Sequence, residues 1–215
     1  ATATPEVKDD IVKQLKLNNP DIYVTGFDRK NLKFILKKGI NKDDYILSYV
    51  GTNEKESGII YAATRKEVNR IYKNLKKRGY KTGRYHAGLS DNERKQTQDN
   101  FLYDEIKIVV ATNAFGMGID KSNVRYVIHN NMPKNIESYY QEAGRAGRDG
   151  EPAECVLLFS PGDNHIQKFL IEQTTSSLLR KRKQFKKLKK MVAYCHTSKC
   201  LRAYILSYFG DEGIM

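Results

Sequence analysis

Ile106-Lys107-Ile108-Val109-Val110-Ala111-Thr112-Asn113-Ala114-Phe115-Gly116-Met117-Gly118-Ile119-Asp120 is the stretch on which the fold turns. It opens on a short, mostly β-branched run and passes at once into polar and glycine residues. Such a run, bounded by turn formers, reads as a buried strand over Ile106–Val110. Thr112 and Asn113 then stand at the carboxyl end of that strand, which is where open parallel sheets bind ligands. The loop Thr112–Asp120 is therefore a candidate functional segment.

The same signature recurs on both sides. Ile22-Tyr23-Val24, Gly58-Ile59-Ile60-Tyr61, Val124-Arg125-Tyr126-Val127-Ile128 and Cys155-Val156-Leu157-Leu158 read as strands, with Lys33-Phe34-Ile35-Leu36 as a further one. Two helices between them carry capping boxes, Thr64-Arg65-Lys66-Glu67 and Ser90-Asp91-Asn92-Glu93. The first bears the stripe Val68, Ile71, Tyr72 and Leu75, and closes at Lys76-Lys77-Arg78 and Gly79. The second ends near Phe101-Leu102. Strands alternating with helices from about Asp21 to Phe159 predict an α/β fold, a mostly parallel sheet with helices on both faces. After Pro161 the pattern changes to a C-terminal helical hairpin. A short helix over Asp163–Gln173 is interrupted at Thr174-Thr175-Ser176-Ser177. An amphipathic helix follows, with Leu178, Phe185, Leu188, Val192 and Cys195 on one stripe, and a second apolar helix spans Cys200–Phe209.

Gln141-Glu142-Ala143-Gly144-Arg145-Ala146-Gly147-Arg148-Asp149-Gly150 sets two arginines three residues apart among glycines. On a helix the two would share one face, and their planar forks would converge on one anion. Bare glycine backbone lets a phosphate or another chain segment approach. Such a pair suits the charge of a transferring phosphoryl group. An ordinary surface turn with salt bridges is the alternative.

A 215-residue chain with 40% hydrophobic and 29% charged residues fits one soluble globular core. The formal net charge is +13, and Gln173–Arg202 supplies ten Lys/Arg and no Asp/Glu. A segment of that kind contacts phosphates, or else is a solvated helix face. Cys155, Cys195 and Cys200 are too few for a disulfide framework, and Cys155 sits in a core-strand pattern. There is no signal peptide and no membrane-spanning run, so cytoplasm is the expected compartment, at the nucleoid if the chain is bacterial. No nucleophile–base pair, phosphate loop of the G-x-x-x-x-G-K-[ST] form or acidic Walker-B-like cluster appears.

The ordered motifs resemble those of RecQ-family helicases of superfamily 2. Gln141–Gly150 resembles motif VI. Gly58–Tyr61 with Thr64-Arg65 resembles motif IV, and Tyr85-His86-Ala87-Gly88-Leu89 resembles the segment that follows it. Val109–Asp120 resembles motif V, and Ala1-Thr2-Ala3-Thr4 the end of motif III. The resemblance implies a second RecA-like lobe over 21–162, preceded by an inter-lobe linker (1–20) and followed by a truncated zinc-binding subdomain (163–215). It implies ATP and Mg²⁺ held with a preceding first lobe, and 3′-5′ unwinding of single-stranded and forked DNA in recombination and repair.

Residue by residue, the resemblance gives Arg145 and Arg148 the γ-phosphate and Gln141 the coupling of nucleotide to the lobe interface. It places Asp120 and Gly118 at the nucleotide, Asp120 on the ribose. Thr112, Asn113 and Thr64 would hold strand phosphates, with His86 beside them. Cys200 matches the first of four zinc ligands, the others lying in a Cys-x-x-Cys-x-x-Cys cluster beyond Met215. Zinc is therefore not expected on this chain, although Cys195, His196 and Cys200 imitate part of a site. A nucleic-acid-binding module without enzymatic action leaves the joint presence of motifs V and VI unexplained. A DEAD-box RNA helicase typically carries His-Arg where Gln141-Glu142 stand.

Overall fold

The computed structural model describes residues 5–23, 26–116 and 119–211. Helix α1 (Pro5–Gln14) comes first, with Val7 and Ile11 exposed. The alternating part follows as β1 (Leu32–Lys38), α2 (Lys42–Thr52), β2 (Ser57–Tyr61), α3 (Arg65–Lys77), β3 (Thr82–Tyr85) and α4 (Asp91–Leu102). It continues through β4 (Ile108–Ala111), β5 (Val124–His129), α5 (Ile136–Ala143) and β6 (Ala153–Phe159). Among the described residues three helices follow: α6 (Pro161–Thr174), α7 (Leu178–His196) and α8 (Leu201–Tyr208).

All neighbouring strands run parallel, in the order β1-β6-β5-β2-β4-β3. Side chains alternate between the two faces, as a period of two requires. Ile59, Val109, Val127 and Leu157 pack with α4, α5 and the hairpin helices. Their neighbours Ile60, Val110, Ile128 and Leu158 pack with α2 and α3. Each such aliphatic, fully withdrawn from water, stabilises the fold by about 1.5–3 kcal/mol. The expected α/β fold with helices on both faces and a helical hairpin behind it is the observed one.

Several local expectations change. Ile22 and Tyr23 are exposed and lie in no strand, while Val24 falls outside the described residues, as does Ala1–Thr4. Strand β3 escaped the pattern because it is a short edge strand carrying Gly83 and Arg84, bonded on one side only. Gly83 is required there: a Cβ would sit 2.5 Å from Ile106 Cδ1 and 2.8 Å from Thr97 Cγ2 of α4. Helix α2 is also additional. The Ser90 capping box is complete, but at Thr64 only the hydroxyl half forms, since Glu67 turns instead to Arg70.

The hairpin rests on α5 through rings: Tyr194 of α7 lies 5.5 Å from Tyr139 of α5 and 5.5 Å from Tyr204 of α8. Leu188, Met191, Tyr194 and Cys195 form the buried stripe of α7, while Leu178 is exposed at its start. Cys155 and Cys195 are core residues whose thiols burial pushes up to about 12.

Candidate nucleotide and nucleic-acid site

The arginines do not share a helix face. Helix α5 ends at Ala143 with Gly144 as C-cap, and Gly147 takes a positive φ of 55° that the helix cannot continue through. Residues 144–150 are a succession of turns. Both arginines nevertheless reach the same target, the loop after β4. Nη1 of Arg145 donates to the Gly116 carbonyl. Nη1 of Arg148 donates to the Ile119 carbonyl at 3.0 Å and to Oδ1 of Asp120 at 2.7 Å. Gly116, at φ 124°, leaves room for Arg145, because a Cβ would collide with the guanidinium. The Tyr61 hydroxyl donates to the Phe115 carbonyl at 3.1 Å beneath the same loop. Burial raises the phenol's pKa, and the Arg145 charge beside it opposes that shift. Nε of Arg145 is buried and has no partner among the described residues. Two permanent cations thus stand over a loop whose one charged partner here, Asp120, is almost fully solvent-exposed.

Gln141 is exposed on the last turn of α5, and Gly118 lies outside the described residues. Glu142, its neighbour, is tied to buried His129 (2.9 Å), which stacks on Tyr61.

A second group gathers at the carboxyl ends of β2, β4 and β3, which are adjacent strands. Thr64 caps α3, its hydroxyl accepting from the Glu67 N–H at 3.2 Å. Thr112 follows β4 directly, half-buried, with its N–H on the Tyr85 carbonyl, and Asn113 beside it is exposed. His86 is buried rather than free to meet a ligand: Nδ1 accepts from the Gly88 N–H at 3.2 Å, and Nε2 faces Asn69 Oδ1 at 3.4 Å. Burial, then Arg84 and Arg65, lowers its pKa, which keeps the ring neutral. Beside this group a cleft of about 340 Å³ opens between the carboxyl ends of β2 and β5 and helices α5 and α6, lined among others by Ala63, Asn113, His129, Asn131 and Glu142.

Three sets of residues carry these groups without having been legible beforehand. Asn131 accepts from the Ala63 N–H (3.1 Å) and donates to buried Asp163 (2.9 Å), which also pairs with Lys42 at 3.0 Å. Arg29 donates to the carbonyls of Gly144, Ala146 and Gly147 (3.3, 3.1 and 2.6 Å). Asn31 donates to those of Gly147 and Glu151 (2.8 and 2.9 Å). Only the Ser160–Asp163 capping spacing carried a local signal.

Cys200 is the exposed N-cap of α8, and no cluster of three or more metal-ligating side chains occurs among the described residues. A closed structural zinc site needs four ligands, so the described residues do not fit one. No helix among them is long and apolar enough to cross a membrane.

A six-stranded parallel sheet with helices on both faces is the architecture of a RecA-like lobe. Residues 41–150 match the family described as helicase conserved C-terminal domain, and 161–214 match the one described as RecQ zinc-binding. The chain belongs to the helicase C-terminal-domain family in its RecQ form. It is 58% identical over 213 residues to the ATP-dependent DNA helicase RecQ of Bacillus subtilis, covering 99% of this chain and 36% of that protein. It is 41% identical to the RecQ-like DNA helicase BLM of Xenopus laevis, covering 99% of this chain and 16% of that protein. Among solved structures, Saccharomyces cerevisiae Dbp5 bound to RNA and ADP BeF3 shares the fold. It does so with a TM-score of 0.64 at 21% identity, over 87% of this chain and 54% of that one. The chain thus spans about a third or less of these curated relatives.

Proposed function

We propose that this chain is the second motor lobe of an ATP-dependent 3′-5′ DNA helicase. ATP, with Mg²⁺, sits between it and a first RecA-like lobe, and Arg145 and Arg148 stabilise charge on the transferring phosphoryl group. The observation that carries the reading is the convergence of both guanidinium groups on the loop after β4, Arg145 at the Gly116 carbonyl and Arg148 at the Ile119 carbonyl and the Asp120 carboxylate. Thr64, Thr112 and Asn113 offer hydroxyl, amide and backbone contacts along one strand edge. Contacts of that kind grip phosphates without reading bases, which suits a motor acting on any sequence. Closure on ATP and opening after hydrolysis would move this edge relative to the first lobe's strand contacts.

The test is Arg145→Lys and Arg148→Lys in a polypeptide joining this chain to a phosphate-loop lobe. Lysine keeps the charge but loses the fork, and the more critical substitution is expected to lower DNA-stimulated kcat by at least about 10²-fold. Nucleotide affinity should change far less. Unchanged kcat in both variants would make the arginines structural. The 215-residue chain by itself contains no phosphate loop and is expected to show no ATP turnover.

A further inference from the structure

Residues 27–32 form a strap joining the hairpin to the arginine turn. On the hairpin side, Nη1 of Arg202 in α8 donates to Oδ1 of Asp28 (2.7 Å) and to the Arg29 carbonyl (2.9 Å). Its Nη2 donates to the carbonyls of Lys30 (3.2 Å) and Leu32. Phe27 stacks on Phe209 with ring centroids 4.8 Å apart, and its N–H donates to Oδ2 of Asp211 at 2.7 Å. On the opposite side the strap holds motif VI. Arg29 and Asn31 bond the carbonyls of the turn, as described above, and the Tyr140 hydroxyl donates to the Phe27 carbonyl. Gly147 fits because it is bare: a Cβ there would lie 2.5 Å from Asn31 Nδ2.

We propose that Arg202 is a positioning residue for Arg145 and Arg148, coupling the seat of the helical hairpin to the arginine pair. Resting on the phosphate-stabilising reading of those arginines, this deepens it by naming how they are regulated. One planar fork satisfies a carboxylate and three carbonyls of a single short segment, a task that a lysine ammonium cannot duplicate. Arg29, whose carbonyl Arg202 holds, is the same residue that grips three carbonyls of the turn. A displacement of α8 therefore moves the turn, and the coupling is reciprocal: a nucleotide that draws the arginines forward pulls on α8. A partner that repositions α8 would alter turnover without touching the nucleotide.

Amide hydrogen exchange on the 215-residue chain tests the strap directly. The Gly147 N–H, bonded to the Val124 carbonyl at 2.8 Å, is the reporter. Arg202→Lys is expected to accelerate its exchange by about tenfold or more, while the amides of Val109 and Ile128 in the sheet stay protected. Asn31→Ala, which spares the hairpin, should do the same and serves if the Arg202 variant folds poorly. Unchanged Gly147 exchange in both variants overturns the proposal whatever the activity shows. In the two-lobed polypeptide, Arg202→Lys should lower kcat by about 10- to 100-fold with nucleotide KM within about threefold, as a misplaced catalytic group does. Its effect should vanish on an Arg145→Lys background, and a fully additive loss would overturn the coupling. If Arg145→Lys leaves turnover intact, the phosphate reading falls while the exchange result still decides the strap.

Discussion

Arg148 and Asp120 face each other across the two motif loops, with Nη1 of Arg148 2.7 Å from Oδ1 of Asp120. On the proposed reading one serves the phosphate and the other the ribose, so the ion pair joins two residues offered to the same nucleotide. Because the aspartate is almost fully exposed, the pair contributes at most about 1 kcal/mol. Asp120→Ala and Arg148→Ala are each expected to leave the melting temperature nearly unchanged, while the arginine change abolishes turnover in the two-lobed protein. Thermal melts beside single-turnover kinetics check this; a shared loss of stability would contradict it.

Gly116→Ala should act as an indirect Arg145 variant. At φ 124° an alanine is strained, and its methyl occupies the space of the guanidinium. Overpacking of this sort costs about 1–3 kcal/mol. Turnover is expected to fall as in Arg145→Lys, with strand binding retained. Urea denaturation and a DNA-binding assay separate the two effects, and wild-type turnover would refute the geometry.

Asp104 sets an acid limit on stability. It bonds Lys107 at 2.8 Å, Lys121 at 3.1 Å and the Ser57 hydroxyl at 3.2 Å, and Lys121 is almost fully buried. The Lys107 and Lys121 bonds, outweighing desolvation, hold the carboxyl at about 2 against an ordinary 3.8. A depressed folded value means that the stabilisation is complete above about pH 4 and is lost as pH falls toward 2. Asp104→Asn should cost about 1–2 kcal/mol at neutral pH, discounted for the partial exposure of the aspartate. The mutant's urea midpoint should also fall less steeply between pH 4 and 2. Parallel pH slopes for mutant and wild type would count against it.

Single-stranded DNA should bind the chain weakly and without base preference. The exposed lysines and arginines of α7 supply a backbone-directed surface, with Lys187 partly spent on Glu137 at 2.6 Å. Engagement of four or five phosphates predicts a slope of about −3 in log affinity against log salt. Anisotropy titrations across a salt series measure it, and salt-independent affinity would exclude the basic helix as the contact.

Zinc should be absent or substoichiometric on the 215-residue chain after dialysis. Of its three cysteines, Cys155 and Cys195 are buried thiols, and Cys200 stands apart from any ligand cluster among the described residues. Elemental analysis decides the matter; one tightly held ion per chain would point to Cys195, His196 and Cys200.

What could be read from the residues was local. The strand-then-threonine pattern at Ile106–Thr112 and the Ser90 cap needed only neighbours in sequence to interpret. The short edge strand at Thr82–Tyr85 could not be read, since its glycine answers to Thr97 and Ile106 packed above it. The arginine pair was legible in type but not in conformation, because Gly144 and Gly147 end the helix the spacing suggested. The residues that hold the pair were silent. Arg29 and Gly147 are 118 positions apart, and Arg202 and Leu32 are 170 apart, distances over which no periodicity speaks.

The register of β1 on β6 has a mechanical consequence. Leu32 pairs with Ala153 and Lys38 with Phe159, two seven-residue strands side by side and parallel at one edge of the sheet. A tension applied between the segment ahead of Leu32 and the segment after Phe159 pulls the two strands past each other along their length. The evenly spaced backbone bonds of the ladder then share the load and must rupture together rather than peel one at a time. The ladder thereby reinforces the lobe along the common axis of β1 and β6, the direction in which such a tension would drag it.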